Sequence, residues 1–292
     1  MSSSGAYDTP VRGVVVGPGG GLEPAELPEP AGDGETVDVL ACGLCGSDVE
    51  KLTPEHAGRV LGHEVVARTQ DGRRVALIHH LPCGDCARCH AGHESTCERF
   101  RDETIVPGGF AERVLASGGW VELPDEGDDA RWTSVEPLAC VLRGAERVPR
   151  GRVLIVGHGF VGRLFAAVLA ARGDEVFAVD ADPARTLREP DGPVGAVVLA
   201  APGGSETALA ALEPGGTLLV FADAGGIPAA PLYRRELNVV GSRSATPGHM
   251  REAVQLLPGL DVPAPTVLPL DRFAEGLELQ RTRSAAKVVF VP

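Results

Sequence analysis

Aromatic side chains are scarce in this chain of 292 residues, where Phe, Trp and Tyr together make up 4%. A groove that stacks nucleic-acid bases or sugar rings on aromatic faces would have little material to use. Basic residues are also in the minority, since 27 Lys and Arg stand against 40 Asp and Glu, for a formal net charge of −13. Such a surface repels phosphate groups, so we expect no nucleic-acid partner and disfavour a polyanionic substrate.

Long apolar runs are missing as well. The apolar stretches are broken by Gly, Pro and charged residues, and none approaches the roughly 20 residues that span a bilayer. We therefore expect no membrane insertion. A hydrophobic leader is not evident before the first predicted strand, which favours a reducing, cytoplasmic compartment. Residues 1–10, with the serine run 2–4, are predicted to be frayed.

The hydrophobic pattern divides the chain into two kinds of structure. Up to about Val121, short β-prone runs are punctuated by Gly and Pro, which predicts a β-rich domain. From Arg152 the pattern changes to strand, glycine turn, helix and strand, which is typical of a βαβ unit in a parallel sheet. The fold class is therefore α/β, a β-rich domain with a doubly wound parallel sheet. The clearest runs of the β-rich part are 11–16, 35–41, 65–68 and 74–78.

The parallel sheet is predicted to lack one strand. Only 14 residues, 181–194, separate Asp180 from the next strand, too few for a helix, a strand and a second helix. The third strand of the usual nucleotide-binding sheet is thus expected to be missing or vestigial, which would leave adenine loosely held. The other elements expected are strands at 195–201, 216–221, 237–240 and 287–291 and helices at 205–211, 249–257 and 271–280.

Four cysteines follow the pattern C-x2-C-x2-C-x7-C and predict a structural metal site. Four thiolates at this spacing can close a tetrahedron around Zn²⁺ and leave no position for a substrate. A disulfide pair and an iron–sulfur cluster are the alternatives, and neither suits a reduced chain in which Glu98 follows the last cysteine. His90 and His93 in the same loop are expected to be solvated. The four predicted zinc ligands are Cys83, Cys86, Cys89 and Cys97.

A glycine fingerprint between a predicted strand and a predicted helix indicates a dinucleotide site. The motif G-H-G-F-V-G allows a tight turn, a close approach of backbone to pyrophosphate and a helix N-terminus aimed at the anion. His158 is expected to be only a spacer in this turn. The residues predicted to bind the cofactor here are Gly157, Gly159, Phe160, Val161 and Gly162.

The type of nicotinamide cofactor depends on the residues after the second strand. Asp180 lies 23 residues after Gly157, where a carboxylate accepts both ribose hydroxyls of NAD and repels the 2′-phosphate of NADP. Arg185 follows shortly and could pair with that phosphate. NAD is therefore the predicted cofactor, and NADP stays open as the alternative.

Further motifs give the chain a family resemblance. The segments CGLCGSD, LGHEVV, GGFAERV and EPLACVLRG, together with the four-cysteine loop, GHGFVG and the tail VLPLDRFAEGLELQ, follow one another in a characteristic order. In this order they resemble a zinc-dependent medium-chain dehydrogenase/reductase of the alcohol and polyol dehydrogenase type, shortened. The resemblance implies a GroES-like catalytic domain at 1–143, a Rossmann domain at 144–245, a return segment at 246–292 and an active site in the cleft between the domains.

The resemblance also assigns a catalytic zinc. Cys45, His63 and Glu136 match the family's ligands, with Glu64 as a near or exchangeable ligand, and a mixed S, N and O set suits zinc. Glu136 in place of a cysteine resembles the sorbitol and threonine dehydrogenase branch. Cys140, one helical turn later, is expected to face the pocket or to pack rather than to bind metal.

Three nearby residues are expected to support the reaction. Asp48 would fix the tautomer of His63, and Ser47 would carry the first proton away from the substrate hydroxyl. Glu50 stands where relatives have the last histidine of the proton relay, and it is either a substitute for that histidine or a solvated residue. His56 is a weaker outlet for the proton.

The activity implied is the NAD-linked interconversion of a secondary alcohol and a ketone on a polyol, sugar, cyclitol or aminocyclitol, with two zinc ions per chain. Two alternatives stay open, a reductase of a ketone or enone in secondary metabolism and a non-catalytic nucleotide- or zinc-binding homologue. The expected partners are a small-molecule alcohol or ketone and further copies of the chain, as a dimer or tetramer associating through the strand near 237–240.

Overall fold

The structure is a computed structural model that describes residues 10–101, 103–223 and 225–292. The predicted frayed start therefore lies outside the described residues, apart from Pro10. The chain forms two compact units. The first contains the described residues up to Glu136 with Thr246–Val254 and Ala264–Pro292, and the second contains Pro137–Ala245 and Gln255–Pro263. Among the described helices, none is both long and apolar enough to cross a bilayer.

The strands of the β-rich part are confirmed, with small shifts at their ends. In chain order the strands are β1 (Val11–Val16), β2 (Leu22–Leu27), β3 (Glu35–Gly43), β4 (Glu64–Arg68), β5 (Arg74–Leu77), β6 (Ile105–Val106), β7 (Arg113–Ala116), β8 (Trp120–Glu122), β9 (Arg152–Val156), β10 (Glu175–Val179), β11 (Val194–Leu199), β12 (Leu212–Val220), β13 (Asn238–Gly241), β14 (Thr266–Pro269) and β15 (Val288–Val291).

The helices are mostly short, and most of those in the second half of the chain were predicted. In chain order they are α1 (Gly46–Glu50), α2 (Ala87–His90), α3 (Asp129–Trp132), α4 (Val135–Ala145), α5 (Phe160–Ala171), α6 (Ser205–Ala211), α7 (Ala229–Arg235), α8 (Pro247–Leu256) and α9 (Phe273–Arg281). Helix α7 was not predicted, because the proline- and glycine-rich stretch before it reads as loop.

The first unit is built on a large sheet with strand order β14-β15-β3-β4-β5-β8, which β7 and β6 join at β3. Its pairs are antiparallel except for β14 with β15. Val and Leu side chains form much of the hydrophobic core of this unit, in which Phe110 meets Phe290 edge-on with ring centroids 5.4 Å apart. Strand β15 lies between β14 and β3, so the C-terminal tail is brought beside the end of β3.

The second unit contains a parallel sheet in the order β10-β9-β11-β12-β13. Its central strands read as almost continuous apolar runs because helices cover a parallel sheet on its faces, and α5 packs against β9 and β10. The usual order 3-2-1-4-5-6 would place another parallel strand outside β10. In the part of the chain that the structure describes, β10 has only an isolated antiparallel bridge there, Ala178 with Arg188. The predicted loss of the third strand is confirmed.

Candidate functional site

A thiol, an imidazole and a carboxylate meet at the ends of β3 and β4. Cys45 caps the N-terminus of α1 two residues after β3 ends, His63 precedes β4, and Glu64 is the first residue of that strand. One ligand atom from each lies within 4.8 Å of the others. Gly43 makes room for this group, since a Cβ there would come within 1.9 Å of Glu64 Oε2. We call Cys45, His63 and Glu64 the ligand trio.

Asp48 holds the trio in place from the first turn of α1. Its Oδ2 accepts the backbone N–H of Cys45 at 3.0 Å, and its Oδ1 accepts the backbone N–H of Gly62 at 3.2 Å. Oδ1 also lies 3.2 Å from Nδ1 of His63. Because a carboxylate accepts, Nδ1 carries the hydrogen and Nε2 is left as the ligand atom. The carboxylate is 1% exposed, so these bonds join two loops inside the protein.

The charges of this pair depend on each other. Burial disfavours ionised Asp48, but the charge of His63 and the donors on the carboxylate keep its pKa below the usual range. Burial likewise opposes a charged His63, but the charge and hydrogen bond of Asp48 together with those of Cys45 outweigh it, so the pKa of His63 is well above its usual range. The pair thus favours a charged, hydrogen-bonded arrangement.

The two predicted proton carriers differ in exposure. The Ser47 hydroxyl is half-buried and lies 3.4 Å from Cys45 Sγ, in the neighbourhood of the trio. Glu50 is exposed at the end of α1. His56, the weaker candidate, is half-buried and has Nδ1 2.9 Å from the Thr53 hydroxyl. Only Ser47 of these three contacts a ligand of the trio.

Glu136 lies in a different ligand group from the trio. Its Oε1 is 3.7 Å from His80 Nδ1, and both side chains are largely buried. Glu136 is the second residue of α4, and Cys140 lies one turn later on the same helix. The assignment of Glu136 as the third protein ligand of the catalytic metal therefore stays a prediction, while Glu64 is the carboxylate beside Cys45 and His63.

Two histidines beside the trio were missed by the sequence analysis. His79 stacks on His63 with ring centroids 4.7 Å apart, and His80 lies 4.1 Å further along. Burial and the neighbouring histidines lower the pKa of His79 to about 2, so this ring is neutral. Phe100 stacks on His80 at 5.4 Å and packs against the cysteine loop. The HH pair just before Cys83 was the available signal.

Lys287 was also missed by the sequence analysis, because it is distant from Glu64 in sequence and lies next to it only in the folded chain. It comes from the C-terminal tail, pairs with Glu64 Oε2 and donates to the Leu44 carbonyl at 3.0 Å. Both partners of the ion pair are almost fully buried. Burial opposes the charge on Lys287, but Glu64 raises its pKa above the usual value. Glu64 therefore has a counter-charge in the protein itself.

The four-cysteine loop has dimensions that fit one zinc ion. A tetrahedron with Zn–S bonds of about 2.3 Å has sulfur–sulfur edges of about 3.8 Å. The Sγ atoms of Cys86 and Cys89 lie 3.5 Å apart, and those of Cys86 and Cys97, and of Cys83 and Cys89, lie 3.9 Å apart. A disulfide needs about 2.05 Å, so that alternative does not fit.

Backbone donors favour the thiolate form of two of the four cysteines, Cys86 and Cys97, whereas burial raises the pKa of Cys89 to about 12. The N–H groups of Cys83 and Arg99 both lie 3.3 Å from Cys97 Sγ. Backbone hydrogen bonds lower the pKa of Cys97, and those from Glu98 and Cys89 lower the pKa of Cys86 to about 6. Since thiolates are the metal-binding form, the loop suits a structural zinc.

In the second unit the glycine motif opens α5 as predicted. Gly159 caps the helix, with Phe160 and Val161 half-buried in its first turn. A Cβ on Gly162 would lie 2.0 Å from the Gly157 carbonyl oxygen, whereas one on Gly159 would meet nothing within 4 Å. Gly162 thus allows the helix to approach the turn, and Gly159 leaves the N-terminus open to an anion.

Asp180 follows β10 and faces the same glycine turn. Its Oδ2 accepts the backbone N–H of His158 at 2.8 Å. Arg185 sits in a 3-10 turn, with its Nε 3.3 Å from Asp182 Oδ2. The structure therefore brings Asp180 to the fingerprint, while Arg185 forms an ion pair with a neighbouring acid.

Comparisons with known proteins agree with this architecture. Residues 32–125 match the alcohol dehydrogenase GroES-like domain. The chain is 30% identical over 179 residues to the L-galactonate-5-dehydrogenase of Escherichia coli K12, a match covering 55% of this chain and 52% of the relative. It is 25% identical over 324 residues to D-arabinitol dehydrogenase 1 of Uromyces fabae, covering 92% of this chain and 93% of the relative. Residues 32–125 are therefore assigned to the GroES-like domain of alcohol dehydrogenases.

These matches support the family resemblance predicted from the motifs. Solved structures of this fold include acetophenone reductase from Geotrichum candidum in complex with NAD, with a TM-score of 0.84, 19% identity and coverage of 99% of both chains. L-Idonate 5-dehydrogenase of Escherichia coli K-12 has a TM-score of 0.77 and 21% identity, covering 97% of this chain and 98% of that one. These two show the fold. With the first curated relatives, the match spans about half of their length.

The buried ion pair predicts a large effect of Lys287→Met on stability. The substitution leaves Glu64 buried without its counter-charge, so the free energy of unfolding in metal-depleted protein should fall by about 3 kcal/mol. Urea unfolding measures it. Adding Glu64→Gln removes the stranded charge and should recover more than half of the loss. If the free energy of unfolding of Lys287→Met alone were within about 1 kcal/mol of the wild-type value, the pairing of Lys287 with Glu64 would be contradicted.

The two glycines of the fingerprint should respond differently to a methyl group. Gly162→Ala forces α5 away from the Gly157 carbonyl and should lower the free energy of unfolding by about 2–3 kcal/mol. Gly159→Ala meets open space and should cost less than about 1 kcal/mol. Thermal unfolding of both variants checks the difference, and equal losses would mean that the close approach at Gly162 is not a constraint.

Proposed function

We propose that the protein is a zinc-dependent, NAD-linked oxidoreductase that interconverts a secondary alcohol and a ketone on a polyol, sugar, cyclitol or aminocyclitol. The observation that supports it best is the ligand trio with Asp48 behind it. A thiol, an imidazole of fixed tautomer and a carboxylate form an incomplete shell, which suits a catalytic rather than a structural zinc. The relatives named for L-galactonate and D-arabinitol support the polyol class.

The chain's own residues have separate tasks in this proposal. Cys45, His63 and a nearby carboxylate would hold a zinc ion, which would supply Lewis-acid chemistry that lowers the pKa of an alcohol. Asp48 keeps Nδ1 of His63 protonated and so keeps Nε2 directed at the ligand position. Ser47, 3.4 Å from Cys45 Sγ, accepts the substrate proton, which then leaves to solvent directly or through exposed Glu50.

NAD is the hydride acceptor of this proposal. Asp180 stands beside the glycine turn and has lone pairs for ribose hydroxyls, and a carboxylate there repels a 2′-phosphate. Arg185, five residues after Asp180, is paired with Asp182 and so is partly neutralised for phosphate recognition. We therefore expect NADP to bind more weakly than NAD.

The test is zinc content measured together with turnover. Wild-type protein should carry two zinc ions per chain, and Cys45→Ala should carry one and lose oxidation of polyols at least about 1,000-fold. Cys42→Ala is the matched control, because Cys42 is a buried thiol with a pKa raised well above normal by burial, and it is in none of the ligand groups found among the described residues. It should keep both metals.

A further variant separates chemistry from metal binding. Ser47→Ala should keep two zinc ions and lower kcat by about 100-fold, the range of one general acid–base group. One zinc ion in both the wild type and Cys45→Ala, with no turnover, would overturn the dehydrogenase and favour the non-catalytic alternative.

We also propose that the protein associates with copies of itself through β13. This strand ends the parallel sheet, and Val239 on it is 40% exposed. An unpaired strand edge with an exposed apolar side chain is suited to pairing. Light scattering after size exclusion should give twice or four times the chain mass of 30.3 kDa. Val239→Lys should shift the mass toward one chain, and a monomeric wild type would contradict the proposal.

A further inference from the structure

His158 is not the spacer that the sequence suggested. It occupies the first variable position of the fingerprint and is 8% exposed, although nothing in the motif requires a large polar side chain. Its ring Nδ1 lies 2.6 Å from the Arg185 carbonyl oxygen. Because a carbonyl only accepts, Nδ1 carries the hydrogen. A buried histidine thus connects the glycine turn to the segment that follows Asp180.

The same segment stands where the absent third strand would lie. After β10 the chain makes the 3-10 turn Pro183–Arg185 and bonds back to β10, with Leu187 N–H donating to the Ala178 carbonyl at 3.0 Å. The Ala178 N–H in turn donates to the Arg188 carbonyl at 3.2 Å. Two backbone bonds are far fewer than a full strand provides. The turn therefore depends on side chains for its position.

The turn matters because it holds the carboxylate of Asp180. One oxygen, Oδ2, accepts the His158 N–H at 2.8 Å, and the other, Oδ1, accepts the Asp182 N–H at 3.0 Å. The backbone N–H of Asp180 meets the Thr186 hydroxyl at 3.3 Å. With one donor on each oxygen, the carboxylate cannot rotate freely, yet each oxygen keeps a lone pair for a ligand hydroxyl.

We propose that His158 is a positioning residue for the adenosine half of the nucleotide, taking over support that the missing strand would supply. Its backbone N–H holds one oxygen of Asp180, and its ring holds the turn that carries the donor for the other. The ligand recognised is a ribose with free 2′- and 3′-hydroxyls. The inference rests on the proposed function, because it presumes a nicotinamide dinucleotide at this fingerprint.

Two substitutions separate the hydrogen bond from the bulk of the ring. His158→Leu fills much of the same space and has no donor, so it should release the turn. His158→Asn is smaller, but its side-chain amide places an N–H donor close to where Nδ1 lies. If the ring only filled space, Leu would be tolerated better than Asn. If it holds the turn, the order is reversed.

The readout is the affinity for three ligands, measured by calorimetry and by quenching of NADH fluorescence. NADH contains both halves of the dinucleotide, ADP-ribose contains the adenosine half, and reduced nicotinamide mononucleotide contains the other half. His158→Leu should raise the Kd of NADH and of ADP-ribose by about 10-fold, as expected for a lost hydrogen bond. The Kd of His158→Leu for the mononucleotide should change less than about 2-fold. The Kd of His158→Asn for NADH should change less than about 3-fold.

Several results would overturn the proposal. The first is a His158→Leu variant that binds NADH with wild-type affinity. The second is a His158→Leu variant that loses as much affinity for the mononucleotide as for ADP-ribose. The third is weaker binding of NADH by His158→Asn than by His158→Leu. Thermal unfolding of each variant shows whether it is folded at the titration temperature. Failure of the proposed function is distinguishable, because it would appear in the zinc content and turnover of the wild type, or as wild-type protein that binds neither NADH nor ADP-ribose.

Discussion

The contacts of one buried carboxylate underlie the candidate catalytic site. The two carboxylate oxygens of Asp48 accept hydrogen bonds from the backbone N–H of Cys45, the backbone N–H of Gly62 and the ring of His63. These contacts connect the loop after β3 to the loop before β4. The desolvation of Asp48 is offset by these donors and by the charge of His63, which keep its pKa low. Without it, neither the entry to α1 nor the tautomer of His63 would be fixed. Metal ligands are positioned by such outer contacts as much as by their own strands.

A second set of contacts relates this site to the cysteine loop. A line of rings leads from His63 through His79 and His80 to Phe100, which packs on the cysteines. The position of the loop therefore bears on His80 and on its neighbour Glu136. A loop closed by four thiolates would catalyse nothing itself, but its contact with Phe100 connects it to the rings that reach His63.

Much of the fold could be predicted from the sequence, because its signals are local. Alternating and continuous apolar runs gave the strands, the glycine fingerprint gave β9 and α5, and a count of residues after Asp180 gave the missing strand. The cysteine spacing gave one ligand group, and the family resemblance of the motifs around Cys45 and His63 gave two ligands of another. The strand, fingerprint and cysteine signals each lie within a short stretch of the chain.

What the sequence could not show are pairings between distant segments. Lys287 meets Glu64 only because β15 pairs with β3, and no spacing rule links residues so far apart. His79 and His80 look like ordinary residues of a strand end until the sheet stacks one of them on His63. His158 is a variable position in its motif, and its partner at Arg185 becomes visible only once the shortened turn is folded. Tertiary pairing of this kind depends on the whole fold.

The most direct test of the account is an anomalous difference map from crystals of the protein, collected on both sides of the zinc absorption edge. Two peaks are predicted, one among Cys83, Cys86, Cys89 and Cys97 and one in contact with Cys45 and His63. A single peak in the cysteine loop, with none beside the ligand trio, would contradict the claim that this chain holds a catalytic zinc.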